Sequence, residues 1–267
     1  MTERLPAVDN LRSKRVRTLV SLGRRSSRTK LKLLRVEGPQ AVAELLTWKP
    51  ETVQDVYFTP AALQQYLNLW TLAQEATRWC HIMTDEVAAE VAGDAQGIIA
   101  TCTPDAIISV GQPEGGRVWV LLPETRDPGN AGTIIRNADA LGASGLVATT
   151  GTVDVSSPKV IRASVGTVFH LPVFQGGDYV QVADHFRGQG HRVLGTSGTP
   201  DAQLLGDTPL EEPHVWVFGN EARGLSDAQL AVCDQVVRIP MSGRAESMNV
   251  GSAAAICLYA SQEGRVR

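Results

Sequence analysis

Long apolar runs are missing from this 267-residue chain. Its longest nearly apolar stretch, Ala253 to Ala260, falls far short of the ~18 residues a membrane span requires. No apolar segment follows the opening Met1-Thr2-Glu3-Arg4, so a cleaved secretion signal is not expected and the sequence reads as cytoplasmic, with no membrane partner. Cysteine is scarce: Cys80, Cys102, Cys233 and Cys257 stand far apart with no C-x-x-C pair, a spacing that encodes neither a zinc site nor a disulfide framework. The five histidines also lack metal-ligand spacing, and no metal is expected. Two phosphate-binding loops are absent as well. No G-x-G-x-x-G follows a strand, since Gly188-Gln189-Gly190 precedes one, which argues against a nicotinamide-dependent oxidoreductase. No G-K-[ST] loop exists, which argues against nucleotide triphosphate hydrolysis.

Hydrophobic residues at 43% and charged residues at 20% leave ample material for a core, and the length fits two domains of unequal size. A net charge of −3 conceals a polarised distribution. Residues 1–36 carry 11 lysines and arginines against Glu3 and Asp9, a net +9; residues 37–267 carry 14 against 26 acidic residues, a net −12. The basic residues run on into an apolar-spaced segment, Arg15-Val16-Arg17-Thr18-Leu19-Val20-Ser21-Leu22, so they read as a polyanion-binding element on an acidic body rather than as a solvated tail.

From Ser13 to about Thr101, short apolar strands alternate with helical stretches. Residues 31–36 read as a strand, Gly38-Pro39 opens a helix through Leu46, and residues 56–58 read as a strand followed by a helix over 61–77. A strand over 79–83, a helix over 85–91 and a strand over 97–102 complete a compact α/β domain, residues 1–102. Residues 103–116 set proline and glycine between strands and read as a linker. Residues 117–267 read as a second α/β domain with a parallel sheet, because Val118-Trp119-Val120-Leu121-Leu122 is the continuous apolar run a doubly covered strand requires. Strands over 145–149, 191–195, 214–218 and 236–239, and helices over 130–141, 179–187 and 249–262, fill out that domain.

In a parallel α/β sheet, ligands collect beyond the C-terminal ends of the strands. Three loops there are rich in Gly, Asn, Ser and Glu. In Asp127-Pro128-Gly129-Asn130-Ala131-Gly132, Asn130 is placed to cap the helix, and Arg136, among Ile134, Ile135 and Ala138, must find an anion or solvent. In Gly219-Asn220-Glu221-Ala222-Arg223-Gly224, the glycines permit a tight turn that presents main-chain groups, with the Glu221 carboxylate at the same rim. In the third, Pro240 takes the chain out of the sheet after Ile239, and Ser247 and Asn249 flank the start of the small-residue helix Gly251-Ser252-Ala253-Ala254-Ala255. Taken alone, Ser247 reads as a helix cap rather than a catalytic group.

Together N-x-G-x-x-x-R with Ala138 and Gly142, G-x-E-x-x-G, and I-P-M-x-G-x-x-x-S-x-N-V with Ala253 resemble the three signature motifs of the SpoU/TrmH-like family of SPOUT RNA ribose 2′-O-methyltransferases. Residues 158–166 are similar to the segment that the family places between the first two motifs. Residues 13–102 resemble the ribosomal-protein-like substrate-binding module of the subgroup that modifies ribosomal RNA. Met248 stands where the family usually has Leu, and Gly251 where Ser or Ala is usual; neither change removes a reactive group. The resemblance implies S-adenosylmethionine bent inside a deep trefoil knot, in contact with Gly219, Ile239 and Met248 and with Thr149 at a strand end. It implies a catalytic set of Arg136, Asn130, Glu221, Ser247 and Asn249, and a homodimer formed through the C-terminal domain. The implied substrate is RNA, with 23S ribosomal RNA favoured; a transfer RNA substrate and a non-catalytic RNA-binding role are the alternatives. Phosphate contacts are then expected from Arg24, Arg25, Arg28, Lys30 and Lys32.

Overall fold

The structure is a computed structural model that describes residues 7–263. Met1-Thr2-Glu3-Arg4, read for a secretion signal and counted in the basic segment, lie outside the described residues. The N-terminal half runs α1 (Lys14–Ser21), α2 (Arg25–Leu31), β1 (Leu34–Glu37), α3 (Pro39–Trp48), β2 (Val53–Phe58), α4 (Pro60–Gln65), α5 (Leu67–Ala76), β3 (Cys80–Ile82), α6 (Asp85–Ala92) and β4 (Ile98–Cys102). Ser13, Thr59 and Thr84 start α1, α4 and α6, each hydroxyl accepting a main-chain N–H three residues on. The strands form a mixed sheet in the order β1-β4-β2-β3, with β4 antiparallel to both neighbours and β3 parallel to β2. Val16 and Leu19 of α1 and Val87 and Val91 of α6 pack with Tyr57, Met83 and Ile99 into one apolar cluster.

Two expectations fail in this half. The strand expected over 31–36 starts later, because α2 runs to Leu31 and Lys32 caps it in a left-handed conformation, φ 50°. The helix expected over 61–77 breaks at Tyr66 (φ −123°, ψ 50°), whose N–H still bonds back to Ala62 while its carbonyl starts a new helix by accepting from Leu69 and Trp70. Arg28 also departs from its expected role. It is 4% exposed, and its guanidinium donates to the Leu22 carbonyl at 2.8 Å, so it serves packing and cannot reach an RNA phosphate. Arg24, Arg25, Lys30 and Lys32 are exposed.

The C-terminal half runs β5 (Val118–Leu122), α7 (Pro128–Ala140), β6 (Gly145–Ala148), α8 (Pro158–Ala163), β7 (Val173–Gln175), α9 (Tyr179–Gly188), β8 (Arg192–Thr196), β9 (Gln203–Leu204), β10 (His214–Val217), α10 (Asp227–Leu230), β11 (Gln235–Arg238) and α11 (Val250–Glu263). Its seven strands form an all-parallel sheet in the order β7-β6-β5-β10-β8-β11-β9, as the apolar run of β5 requires. The short elements β7, β9 and α10 carry too few residues for a periodic signal and were not expected from the sequence.

Contacts divide the described chain into two compact units, residues 7–107 with 156–169, and residues 108–155 with 170–263. Residues 156–169, inside the span 117–267 read as the second domain, therefore pack with the first unit. Two local features account for this. Arg162 reaches Glu37 at 2.6 Å, a carboxylate 4% exposed that Arg35 also holds at 2.7 Å. Gly166 (φ +85°) passes so close to α3 that a Cβ there would lie 2.8 Å from the Glu44 Cβ.

Candidate active site

The three Gly/Asn-rich loops leave the C-terminal ends of β5, β10 and β11, and side chains tie them together. Asp127, not Asn130, caps α7: its Oδ1 accepts the Asn130 N–H at 2.8 Å, and Pro128 occupies the first turn, where its missing N–H costs nothing. Asn130 lies inside the helix, so its carboxamide is free for other work. Its Oδ1 accepts from the Asn249 side-chain amide at 2.8 Å. Asn249 in turn caps α11, its own Oδ1 accepting the N–H groups of Gly251 at 2.8 Å and Ser252 at 3.3 Å. Ser247 is exposed and does not cap that helix.

Glu221 joins the second loop to the first. Its carboxylate accepts the main-chain N–H of Asp127 at 3.0 Å and of Arg126 at 3.3 Å. The loop itself closes by reciprocal main-chain bonds between Asn220 and Gly224, at 3.0 and 2.8 Å. Gly219 is obligatory there, because a Cβ would lie 2.3 Å from the Gly224 carbonyl carbon. Asn220 also donates to the Glu124 carbonyl at 3.2 Å. Close packing of α7 on α11 holds the frame: Gly251 faces Thr133 with room for no Cβ, and Asn137 donates to the Gly251 carbonyl at 2.9 Å.

Asn130, Glu221 and Asn249 are thus linked through one hydrogen-bonded chain that includes Asp127. Arg136 is exposed on α7 next to Asn137, and no side-chain hydrogen bond holds it among the described residues. Ile239 and Met248 are half-buried. Thr149 is 2% exposed, its hydroxyl facing the Leu122 and Pro123 carbonyls at 3.5 and 3.4 Å. Asp127 and Asn220 were missed from sequence. Asp127 was readable, since an Asp directly before a Pro is a helix-start signal.

The cofactor implied by the motifs fits what this site offers. From Pro240 to Met248 no main-chain group makes a hydrogen bond within the protein among the described residues, so donors and acceptors stand free beside Ile239 and Met248. Such main-chain groups suit an adenine and an amino-acid moiety, and the half-buried Ile239 and Met248 supply apolar surface. Among the described residues no group of three or more His, Cys, Asp or Glu side chains could hold a metal ion.

Residues 117–259 match the family described as "SpoU rRNA Methylase family", more than half of the chain. The chain belongs to this family. It is 29% identical over 260 residues to the 23S rRNA (guanosine(2553)-2′-O)-methyltransferase RlmP of Bacillus subtilis (strain 168), covering 94% of this chain and 97% of that protein. It is 35% identical over 182 residues to an uncharacterized tRNA/rRNA methyltransferase, slr1673, of Synechocystis; that match takes in 67% of this chain and 65% of the relative, less than two thirds of the relative's length. Among solved structures, the SpoU methyltransferase AviRb from Streptomyces viridochromogenes in complex with the cofactor AdoMet (S-adenosylmethionine) superposes with a TM-score of 0.78 at 26% identity, covering 95% of this chain and 99% of that one. The AdoMet-bound rRNA methyltransferase from Sinorhizobium meliloti gives a TM-score of 0.81 at 25% identity, with 97% of each chain covered. The family expected from the three motifs therefore holds, and with it the class of an S-adenosylmethionine-dependent RNA 2′-O-methyltransferase. No described helix is long and apolar enough to cross a membrane.

Proposed function

We propose that this protein methylates a ribose 2′-hydroxyl of 23S ribosomal RNA, with the linked chain Glu221–Asp127–Asn130–Asn249 as the frame of its active site. That frame carries the reading, because it draws three separate loops to one rim beside free main-chain groups. The near-full-length likeness to a ribosomal RNA methyltransferase supports the ribosomal over the transfer RNA substrate.

S-adenosylmethionine supplies an electrophilic sulfonium methyl group; Gly219, Ile239 and Met248 would hold the cofactor, and the chain's own residues must align the ribose. Arg136 is the group best suited to charge developing on the 2′-oxygen. A guanidinium offers donors and no lone pair, so Arg136 acts as a clamp on that oxygen or the adjacent phosphate, while water or a phosphate oxygen takes the proton. Asn130, Glu221 and Asn249 act as positioning residues, and the exposed Ser247 hydroxyl is available to the RNA backbone. A homodimer through the C-terminal unit is part of the proposal. Ile256 and Tyr259 of α11 are 39% and 54% exposed, apolar surface of the kind a second copy covers.

Mapping of ribose methylation across total RNA tests the reading. A strain lacking the gene should lose one 23S site, restored by the wild-type gene and not by Arg136→Ala. Loss of a transfer RNA site instead would change the substrate, and no lost site would overturn the activity.

A further inference from the structure

The unit formed by residues 7–107 and 156–169 contains a cavity of about 790 Å³ that the methyl-transfer site does not use. Its polar lining is five carboxamides, Gln40, Gln64, Gln65, Asn68 and Gln96, with the Tyr66 phenol, and among the described residues no Lys, Arg, Asp or Glu side chain lines it. The break between α4 and α5 at Tyr66 brings Gln64, Gln65 and Asn68 to one opening. Gln96, on the same lining, sits at φ 49°, a conformation that residues other than Gly rarely adopt, and its side-chain Oε1 accepts from the Tyr66 hydroxyl at 3.5 Å. The side chains of Gln64, Gln65 and Asn68 make no hydrogen bond within the protein among the described residues. Beside Tyr66, Leu67 is 61% exposed and forms an apolar ledge.

This chemistry selects its ligand. A phosphate or carboxylate needs a cation or charge-assisted donors, and the lining side chains supply none. A carboxamide sets one acceptor beside two donors, the pattern that pairs with the edge of a nucleobase. Sequence-specific recognition of RNA reads unpaired bases, splayed out and stacked on aromatic or flat surfaces. We propose that this cavity receives an unpaired base of the RNA substrate, read by Gln65, Asn68 and Gln96 and stacked against Tyr66 and Leu67. The proposal rests on the RNA methyltransferase reading and deepens it. Exposed cations of α2 supply affinity without sequence preference, and the uncharged cavity supplies the preference.

Fluorescence anisotropy with the full chain tests it, using hairpin RNAs that share one stem and carry loops of uridine, cytidine or adenosine, the same hairpin with an abasic loop, and a blunt duplex. At least one base-bearing loop should bind about tenfold or more tighter than the abasic loop and the duplex. The double variant Gln65→Ala/Asn68→Ala should lose that preference with an unchanged salt slope, since neutral carboxamides release no counterions. Both positions are exposed, so the fold should survive, and circular dichroism checks it. A variant that keeps the preference, or that loses duplex binding equally, would overturn the proposal. Purified 23S ribosomal RNA is titrated in parallel. If it fails to bind, the RNA substrate itself is lost; if it binds while no loop preference exists, only the cavity proposal falls.

Discussion

The Asn249 side-chain amide donates to the Asn130 carboxamide oxygen across 2.8 Å while its own oxygen caps α11. One side chain thereby starts a helix and ties the third loop to the first. Asn249→Ala should cost about 1 kcal/mol in denaturant unfolding through the lost cap, and should depress methyl transfer. Asn249→Asp keeps the cap acceptor and loses the donor, so it should stay near wild-type stability while turnover falls. Equal turnover in Asn249→Asp and wild type would separate this contact from catalysis.

Arg136→Ala should lower turnover roughly a hundred- to a thousand-fold, the loss typical of a donor aimed at developing negative charge. Its S-adenosylmethionine affinity, measured by calorimetry, should stay unchanged. Near-full turnover would remove Arg136 from the mechanism. Arg136→Lys keeps the charge without the planar fork and should fall between the two.

Two glycines of the second loop should respond differently to alanine. At Gly219 the new Cβ would meet the Gly224 main chain at 2.3 Å, which no rotamer relieves, so Gly219→Ala should disorder the loop and abolish cofactor binding in the same calorimetric assay. At Gly224 the Cβ meets open space but φ is +67°, so the expected cost is only about 1–2 kcal/mol.

Replacing Arg24, Arg25, Lys30 and Lys32 by glutamine should weaken binding of 23S ribosomal RNA and flatten its salt dependence, by about 0.7–0.9 in log–log slope for each phosphate contact removed. Arg28→Gln belongs to a different class. It should lower the melting temperature, because the residue is buried and bonded to Leu22. An unchanged slope after the four exposed substitutions would take α2 out of RNA binding.

Burial pushes the His214 imidazole down to about 4 from its ordinary 6.5. Its Nδ1–H donates to the Glu212 carbonyl, and Nε2 shares the one Ser261 hydroxyl proton with the Cys257 carbonyl, at 2.7 and 3.1 Å, so the neutral ring suits the site. An unfolded chain takes up the proton near pH 6.5, whereas the folded one resists until about 4. Stability from this group is therefore full above pH 6.5 and is lost as the pH falls toward 4, by up to roughly 3 kcal/mol. Urea unfolding between pH 4 and 7 should show that slope in wild type and a shallower one in His214→Gln.

Local sequence carried the long, regular parts of this protein. β5 announced a parallel sheet through five apolar residues in a row, and α7, α9 and α11 announced themselves through length and periodicity. The break at Tyr66 and the left-handed Lys32 escaped, because a single residue's dihedrals do not alter an apolar period. In the candidate site, residue types and spacing singled out Asn130, Glu221 and Asn249, which hydrogen bonds link in the structure, but misassigned the cap of α7, which lies with the Asp preceding Pro128.

Chemistry of the side chains, order of the motifs and polarity of charge were properties of the chain alone, since they need only composition and short-range spacing. The three-dimensional structure alone decided which partners meet: Glu221 on the amides of Arg126 and Asp127, Asn249 on Asn130, Arg162 on Glu37, and five carboxamides around one hollow. Such encounters join residues up to 125 positions apart. They depend on strand order, register and the absence of a Cβ at a few glycines, none of which a local pattern can encode.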